Sequence, residues 1–539
     1  MKKIVILAIS LISSVSLFSQ GMMDAYKMGG TEILGTARSM GMAGSFGALG
    51  GDASSLSLNP AGLGIYRSNE FVISPMLRSS SVEANWNGLK TDENKTRLSM
   101  PNAAIMLSFR TGKEHGLANF NIGFALNRLA NFDRKVTARG NGLRTSITDY
   151  MAYKTNSTNN WYGASMDDLL SDDAYSNGSN WMSALAAGSG MIVEDENVND
   201  FYSSSLPAGA LVNSRLGMRE KGWIDEYAIA AALNFENILY AGLTLGIQDL
   251  RYSLSSLYSE TLSEGNLSLG NYLETNGTGW NLKLGVIVRP VSFMRFGIAY
   301  HTPTFYKMED YYYADAATDL SFFEKAYSDA TPEGVYSYDM RTPGHFLFSY
   351  ALVFGKYGSL NLDYDLANYA KMKYDENDYD TSFDETNDLI KSSFKNSHTV
   401  RLGLEFRLKP TLSLRLGCAT TTPAVEAEVK DELVEVMTPS ILPHYTIDNG
   451  RNYYTMGLGY RFKAFFVDLA YVYKIQKEKL YSFSPYFSVE DDPMNYDGAL
   501  SVPPYGLTFN EPGEALNMNK PAKLNYRTHS VVLTLGLKF

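Results

Sequence analysis

Apolar residues recur at every second position along most of this chain. The final ten residues show the pattern plainly: Val531, Leu533, Leu535, Leu537 and Phe539 share one face of an extended segment, and Ser530, Thr534, Gly536 and Lys538 share the other with Val532. A period of two predicts β-strand. The same alternation over about 68–82, 98–110, 116–131, 223–236, 239–255, 277–289, 293–307, 342–356, 358–371, 396–409, 411–422, 450–463, 465–478 and 524–539 predicts roughly fourteen strands. Half-buried strands of a soluble sheet have this period too, so the connections must decide between the two settings. Tight turns at Thr111–His115, Glu236–Ile238, Arg289–Ser292, Gly355–Gly358, Lys409–Pro410 and Phe462–Ala464 alternate with long polar stretches, the longest over about 132–222. Short turns at one end and long loops at the other, with an even strand number, are the requirements of an outer-membrane barrel. The predicted fold is therefore an all-β transmembrane barrel of about 14 antiparallel strands spanning 67–539. Both chain ends fall on the short-turn, periplasmic side, and the segment 21–66 starts beneath or inside the barrel.

Parity then sorts the wall. Met294, Phe296, Ile298 and Tyr300 take the outer face, so Arg295, Gly297, Ala299 and His301 point inward. The same rule sends Asn281, Lys283, Arg289, Asp363, Asp365, Arg401, Glu405, Arg407, Arg415, Arg461 and Asp468 to the lumen. Opposite charges there are expected to pair, since an unpaired buried charge is costly. Pro75 and Pro303 sit inside predicted strands and cannot donate a ladder hydrogen bond, so each marks a bulge, a kink or a strand end. Either one is a candidate side opening; a simple twist near the rim is the alternative.

Composition and charge narrow the class. Lys2 and Lys3, the apolar run Ile4–Leu11 and a Ser-rich tail have the layout of a signal peptide over 1–20. No run of apolar residues approaches the ~20 that a membrane helix needs. The net charge of −11 excludes nucleic acid as a partner. Cys418 is the only cysteine and the 6 histidines are scattered, which leaves no disulfide framework, metal set or cofactor site. An enzyme acting at the lipid interface would need a nucleophile beside an oriented histidine; no Gly-x-Ser-x-Gly is present, and His529 alone is predicted outward near the rim. The reading is not an enzyme.

Two apolar stretches stand out. Trp181, Met182, Leu185, Met191, Ile192 and Val193 interrupt the long polar loop, and Met22, Met23, Tyr26 and Met28 open the 21–66 segment. Flexible Met side chains suit a promiscuous apolar groove. The loop stretch serves equally as the loop's own small core, and the Met-rich stretch as a disordered tail.

Residues 35–64 are rich in Gly and Ala, a composition that folds tightly in a confined space. Gly35, Ala37-Arg38, Gly41, Gly44, Asp52-Ala53 and Asn59-Pro60-Ala61-Gly62 resemble the N-terminal hatch of the FadL/TodX outer-membrane transporters. Gly279–Pro290 with Arg295–His301 resembles a recurrent hairpin of that family, and Leu414–Gly417 its later counterpart. The resemblance implies a bacterial outer-membrane barrel plugged by a hatch at 21–66, with Arg38, Asp52, Asn59, Pro60, Ala61 and Gly62 as gating residues. It implies passive transport of hydrophobic compounds such as long-chain fatty acids: capture between external loops, passage to an interior pocket, and release on hatch rearrangement through a lateral gap. The expected partners are that ligand, outer-membrane lipid, and barrel-assembly machinery reading the C-terminal strand. Some barrels of this type instead serve as non-transporting subunits of outer-membrane protein assemblies, of the secretion-shuttle kind, and the acidic loops here would suit such docking.

Overall fold

The computed structural model describes residues 21–112, 115–162, 165–195, 200–207, 209–375, 383–430, 436, 438, 441–484 and 520–539. The signal peptide expected over 1–20 lies outside the described residues. The wall consists of β1 (Glu70–Trp86), β2 (Leu89–Arg110), β3 (Leu117–Asn131, continued by Arg134–Leu143), β4 (Val212–Phe235), β5 (Leu239–Leu262), β6 (Gly265–Val291) and β7 (Met294–His301, continued by Phe305–Leu320). It goes on through β8 (Gly334–Arg341, continued by His345–Val353), β9 (Gly358–Asn368, continued by Lys373–Asp375), β10 (Asn396–Lys409), β11 (Leu412–Thr421), β12 (Tyr445–Phe462), β13 (Phe465–Tyr481) and β14 (Ala522–Lys538). Each pairs antiparallel with the next, and β14 returns to β1 with Leu537 opposite Phe71 and Tyr526 opposite Val82. The result is a closed 14-strand barrel. Closure leaves no sheet edge in the bilayer, where an unpaired backbone group costs several kcal/mol. No described helix is long and apolar enough to cross a membrane; the crossing is made by strands.

Several strands run further outward than the alternation predicts. The β1–β2 ladder continues to a turn at Asn87-Gly88, and β5–β6 continues to Ser263-Glu264. Both ends of the stretch expected as one loop over 132–222 are strand as well, with Arg134–Leu143 pairing Val212–Glu220. The reason is an inversion of polarity along each strand. On β5 the outward residues are Leu243, Leu245 and Ile247 and then Asp249, Arg251, Ser253 and Ser255. The inward residues change the opposite way, from Thr244, Gly246 and Gln248 to Leu250, Tyr252, Leu254 and Tyr258. Within the bilayer the outside meets lipid; above it the outside meets water and the inside becomes an ordinary apolar core.

That outer core gathers Trp86, Tyr150, Leu185, Tyr202, Tyr252, Tyr258, Tyr374 and Phe483, together with Met22, Met23 and Met28. The N-terminal segment runs from this core down the lumen as the helices Met22–Met28, Ala37–Met40 and Ser55–Leu58 and a 3-10 turn Pro60–Ile65. Its close approach to the wall depends on wall glycines. A Cβ at Gly285 would lie 2.0 Å from the Asn59 side-chain oxygen, and one at Gly242 2.3 Å from the Pro60 carbonyl carbon.

The two flagged prolines do not open the wall. Pro75 marks a bulge between Ser74 and Met76, with β1 paired to both neighbours around it. Pro303 separates the two halves of β7, and Pro343 does the same in β8. Thr302 Oγ1 accepts from Leu282 N at 3.0 Å and Thr342 Oγ1 from Thr304 N at 3.0 Å, so threonine hydroxyls replace the missing ladder bonds.

Candidate functional site

The break in the ladder lies elsewhere. β2 and β3 are hydrogen-bonded only from Asn102–Arg110 to Asn119–Asn127. Above that level β2 remains paired to β1 alone, and among the described residues no backbone ladder joins it to Arg128–Leu143. Pro101 sits at the point of departure on β2, and β3 is interrupted at Phe132-Asp133. The resulting seam is crossed by side chains: Lys95 reaches Asp133 at 3.2 Å, Arg97 pairs with the same carboxylate, and Glu93 takes Lys135 at 2.9 Å and Thr137 Oγ1 at 2.7 Å. Leu98 (72% exposed) and Met100 (46%) border it on the outer face.

Directly inside the seam is a cavity of about 170 Å³ lined by Met23, Tyr26, Phe132, Asp133, Arg134 and Leu254 among others. Its charges are paired with one another. Lys27 lies 2.7 Å from Glu220, Arg134 bridges Glu220 and Glu478, Glu32 takes Arg78 at 2.8 Å and also Lys474, and Arg451 stands 3.8 Å from Asp448. A second cavity of about 140 Å³ lies between the N-terminal segment and the wall, at Met28, Leu58, His301, Tyr306 and Pro343. A third, of about 490 Å³, opens toward the short-turn end at Arg38, Asp52, Arg407, Arg461 and Lys538.

Residues 35–62 stand between the upper cavities and the third. Arg38 donates to Glu405 at 3.0 Å and to the Gly51 carbonyl at 3.0 Å. Glu405 also takes Arg415 at 2.8 Å, and Arg415 continues to Asp468 at 2.5 Å. Asp52 accepts from Thr36 Oγ1 at 2.8 Å and from Ser54 N at 2.9 Å, tying the two ends of that stretch together. Asn59 caps the 3-10 turn by accepting from Ala61 N at 3.1 Å, Pro60 supplies a preset φ at the first position of that turn, and Gly62 packs against Gly50.

Of the inward residues read from parity, Arg295 donates to the Leu49 carbonyl and His301 Nε2 lies 2.9 Å from the Leu58 carbonyl. Arg401 pairs with Asp365 at 2.8 Å. Thus Arg295, His301, Glu405 and Asp468 serve the contact with the N-terminal segment directly or through Arg415. Arg461 belongs to the third cavity and is exposed there.

The apolar loop stretch forms the helix Trp181–Gly188, in which Trp181, Met182 and Leu185 are buried. Met191 and Ile192 are buried beside it, whereas Val193 is 39% exposed and lies outside the apolar cluster. This stretch packs as part of the outer core, which also contains Met22, Met23 and Met28.

Residues 230–490 match the family described as Outer membrane protein transport protein (OMPP1/FadL/TodX). Over this stretch the chain is similar to the FadL/TodX family. Among solved structures, a Pseudomonas aeruginosa FadL homologue is similar over 95% of this chain and 100% of its own, at 12% identity and a TM-score of 0.51, a likeness of fold. The Pseudomonas putida toluene transporter TodX (11% identity, 94% of this chain, 100% of its own, TM-score 0.47) and the Ralstonia pickettii toluene transporter TbuX (12%, 95%, 100%, 0.46) are also similar. No curated protein matches the sequence. The FadL/TodX family is one of outer-membrane transporters of hydrophobic compounds and not of enzymes, and the barrel is an outer-membrane protein.

Within this barrel the seam residues Glu93, Lys95, Arg97 and Asp133 were not singled out by the sequence. Pro101 was the available signal, since it breaks the predicted strand 98–110 just as Pro75 breaks its own.

Proposed function

We propose that the protein admits hydrophobic small molecules, long-chain fatty acids among the candidates, by passive movement through the interior and the side seam. The observation that carries the reading is the unlaced stretch of wall between β2 and β3 immediately outside the first cavity. An apolar solute that leaves sideways enters the hydrocarbon without first crossing an aqueous lumen, which avoids rehydration of its surface. Residues 21–66 act as a hatch: they fill the lumen through side-chain hydrogen bonds and ion pairs, contacts that can exchange without disturbing the ladder of the barrel. Arg38, Asp52, Asn59, Pro60, Ala61 and Gly62 hold that hatch in place. Met22, Met23, Tyr26 and Met28 form the apolar side of the ligand's path, and the Trp181–Ile192 core supports the loops that first receive it. Since every cation of the first cavity already faces a carboxylate, an uncharged apolar compound fits it with less rearrangement than an anion does.

The test is native mass spectrometry of the purified barrel, with uptake of labelled apolar probes into proteoliposomes. Wild type is compared with Asn59→Ala and with a deletion of residues 21–34. Retained apolar adducts in wild type, and changed retention and flux in both variants, support the reading. Absence of adducts together with identical flux in all three proteins overturns it.

A further inference from the structure

The outer wall beside the seam carries a group of cations that transport does not use. On the outward face, Lys135 of β3 stands directly opposite Arg219 of β4, and Arg139 directly opposite Arg215. Lys221 follows on the same face. Arg139, Arg215, Arg219 and Lys221 are all exposed, and among the described residues no carboxylate lies within ion-pair distance of any of them. Glu93 answers Lys135 at 2.9 Å and feels Arg215 from further off; Asp225 is held by Arg128 at 2.8 Å and Asp249 by Arg251 at 3.3 Å. Like charges directly opposite one another destabilise a strand pair. Two such pairs in succession, with the nearby carboxylates committed elsewhere, form a surface that an external anion would stabilise.

Height identifies the anion. Below the cations on the outward face of β4 come Trp223, Tyr227, Ile229 and Leu233. Lys221 lies roughly 35 Å above the short-turn end, taking ~3.3 Å per residue and a strand tilt of about 40°. The apolar band of an outer-membrane barrel is only about 25 Å tall and ends in an aromatic girdle. Lys221 and Arg219 therefore stand in the headgroup layer of the outer leaflet, just beyond Trp223, and Arg215 and Arg139 stand about 15 Å above Lys221, where only an extended headgroup reaches. The neighbouring strand contributes two hydroxyls, with Ser255 opposite Arg219 and Ser253 opposite Lys221. Guanidinium forks with adjacent hydroxyl donors suit a phosphate group.

We propose that the outward face of β3–β5 is a binding site for the phosphates of an outer-leaflet lipid headgroup, gripped by Arg139, Arg215, Arg219 and Lys221 at the edge of the seam. Such a lipid neutralises the opposed cations and stands beside the seam as part of its outer border.

The experiment uses full-length protein extracted from outer membranes and delipidated stepwise in detergent, with bound lipid read by native mass spectrometry. Wild type is expected to keep a phosphorylated lipid after bulk lipid is gone. Arg215→Gln combined with Arg219→Gln and Lys221→Gln should lower its apparent affinity on the order of a hundredfold, from three headgroup-facing cations. Lys307→Gln, an exposed site on β7 outside the β3–β5 face, should leave retention unchanged and controls for general loss of charge. Retention of the closed barrel's heat-modifiable mobility on gels shows that the triple variant has folded. Re-addition of the same lipid stripped of its phosphates should not restore the adduct. Equal retention by wild type and the triple variant, equal binding of the dephosphorylated lipid, or a protein rather than a lipid held at this face would each overturn the proposal.

Discussion

Asn59 donates from its side-chain amide to the backbone carbonyl of Gly47 at 2.6 Å, which joins the two Gly-rich arms of the N-terminal segment at a fully buried point. The same side chain accepts from Ala61 N at 3.1 Å, so one residue fixes both the turn that follows it and the strand of coil beside it. Asn59→Ala leaves a buried carbonyl and a buried amide without partners, at about 1–3 kcal/mol each. The expected outcome is faster hydrogen exchange over 36–64 with unchanged exchange in β1–β14. Unchanged exchange over 36–64 would show that this side chain does not hold the segment.

Gly285→Ala should separate the segment from the wall more selectively. Its new methyl would lie against the Asn59 side-chain oxygen and Pro60, while β6 tolerates alanine as a strand residue. The barrel should assemble normally and show higher single-channel ion conductance in planar bilayers. Conductance equal to wild type would mean that residues 59–61 shift without unsealing the lumen.

Asp133→Ala removes the carboxylate shared by Lys95 and Arg97. Partly exposed ion pairs contribute about 0.2–1 kcal/mol each, so thermal stability should change little. Uptake of an uncharged fluorescent apolar probe should nevertheless rise a few-fold, because these pairs bridge the stretch where no ladder does. A loss of stability with no gain in uptake would place the side exit elsewhere.

His444 gives the outer core a pH dependence. Burial lowers its pKa from 6.5 to about 3, and the nearby Lys27 and Arg134 act in the same direction, while Nε2 pairs with Ser256 Oγ at 2.7 Å. The packed loop therefore holds the ring neutral, whereas a released loop takes up a proton below its ordinary value. Stability of the packed loop is fully present above about 6.5 and declines as pH falls toward 3. Amide protection over 441–448, taken against the intrinsic exchange rate at each pH, should fall between pH 7.5 and pH 5, and His444→Gln should remove that fall. The same fall in protection in the glutamine variant would assign it to other groups.

The wall within the bilayer was legible because lipid outside and polar groups inside impose one alternation on every strand, as Leu243-Thr244-Leu245 shows. The outward extensions were not, because Tyr252, Leu254 and Tyr258 exchange roles with Arg251, Ser253 and Ser255 and the greasy face changes sides. The luminal parity was informative in part: Arg401, Glu405 and Asp468 form ion pairs, whereas Arg295 and His301 meet backbone carbonyls and Arg461 is exposed. The contacts of Arg295, His301 and Glu405 with Leu49, Leu58 and Arg38 were not foreseeable, since those three belong to a segment with no period of its own. Pro75 and Pro303 drew attention from sequence alone, yet neighbouring threonines and a bulge repair those sites. The departure at Pro101 depends on β3 turning away at Phe132-Asp133, a tertiary event that the proline on β2 does not by itself reveal.

The crossover of polarity on each strand also works as a depth gauge. Between Ile247 and Asp249 the outer face of β5 changes from hydrocarbon solvent to water, and a single two-residue step there fixes how far the cylinder stands out of the bilayer. Replacing Asp249 and Arg251 together by leucines would raise that waterline by two side-chain steps. The cylinder would then tilt or sink toward that side, drawing the upper, charged part of the seam toward the hydrocarbon that its foot at Leu98 and Met100 already meets.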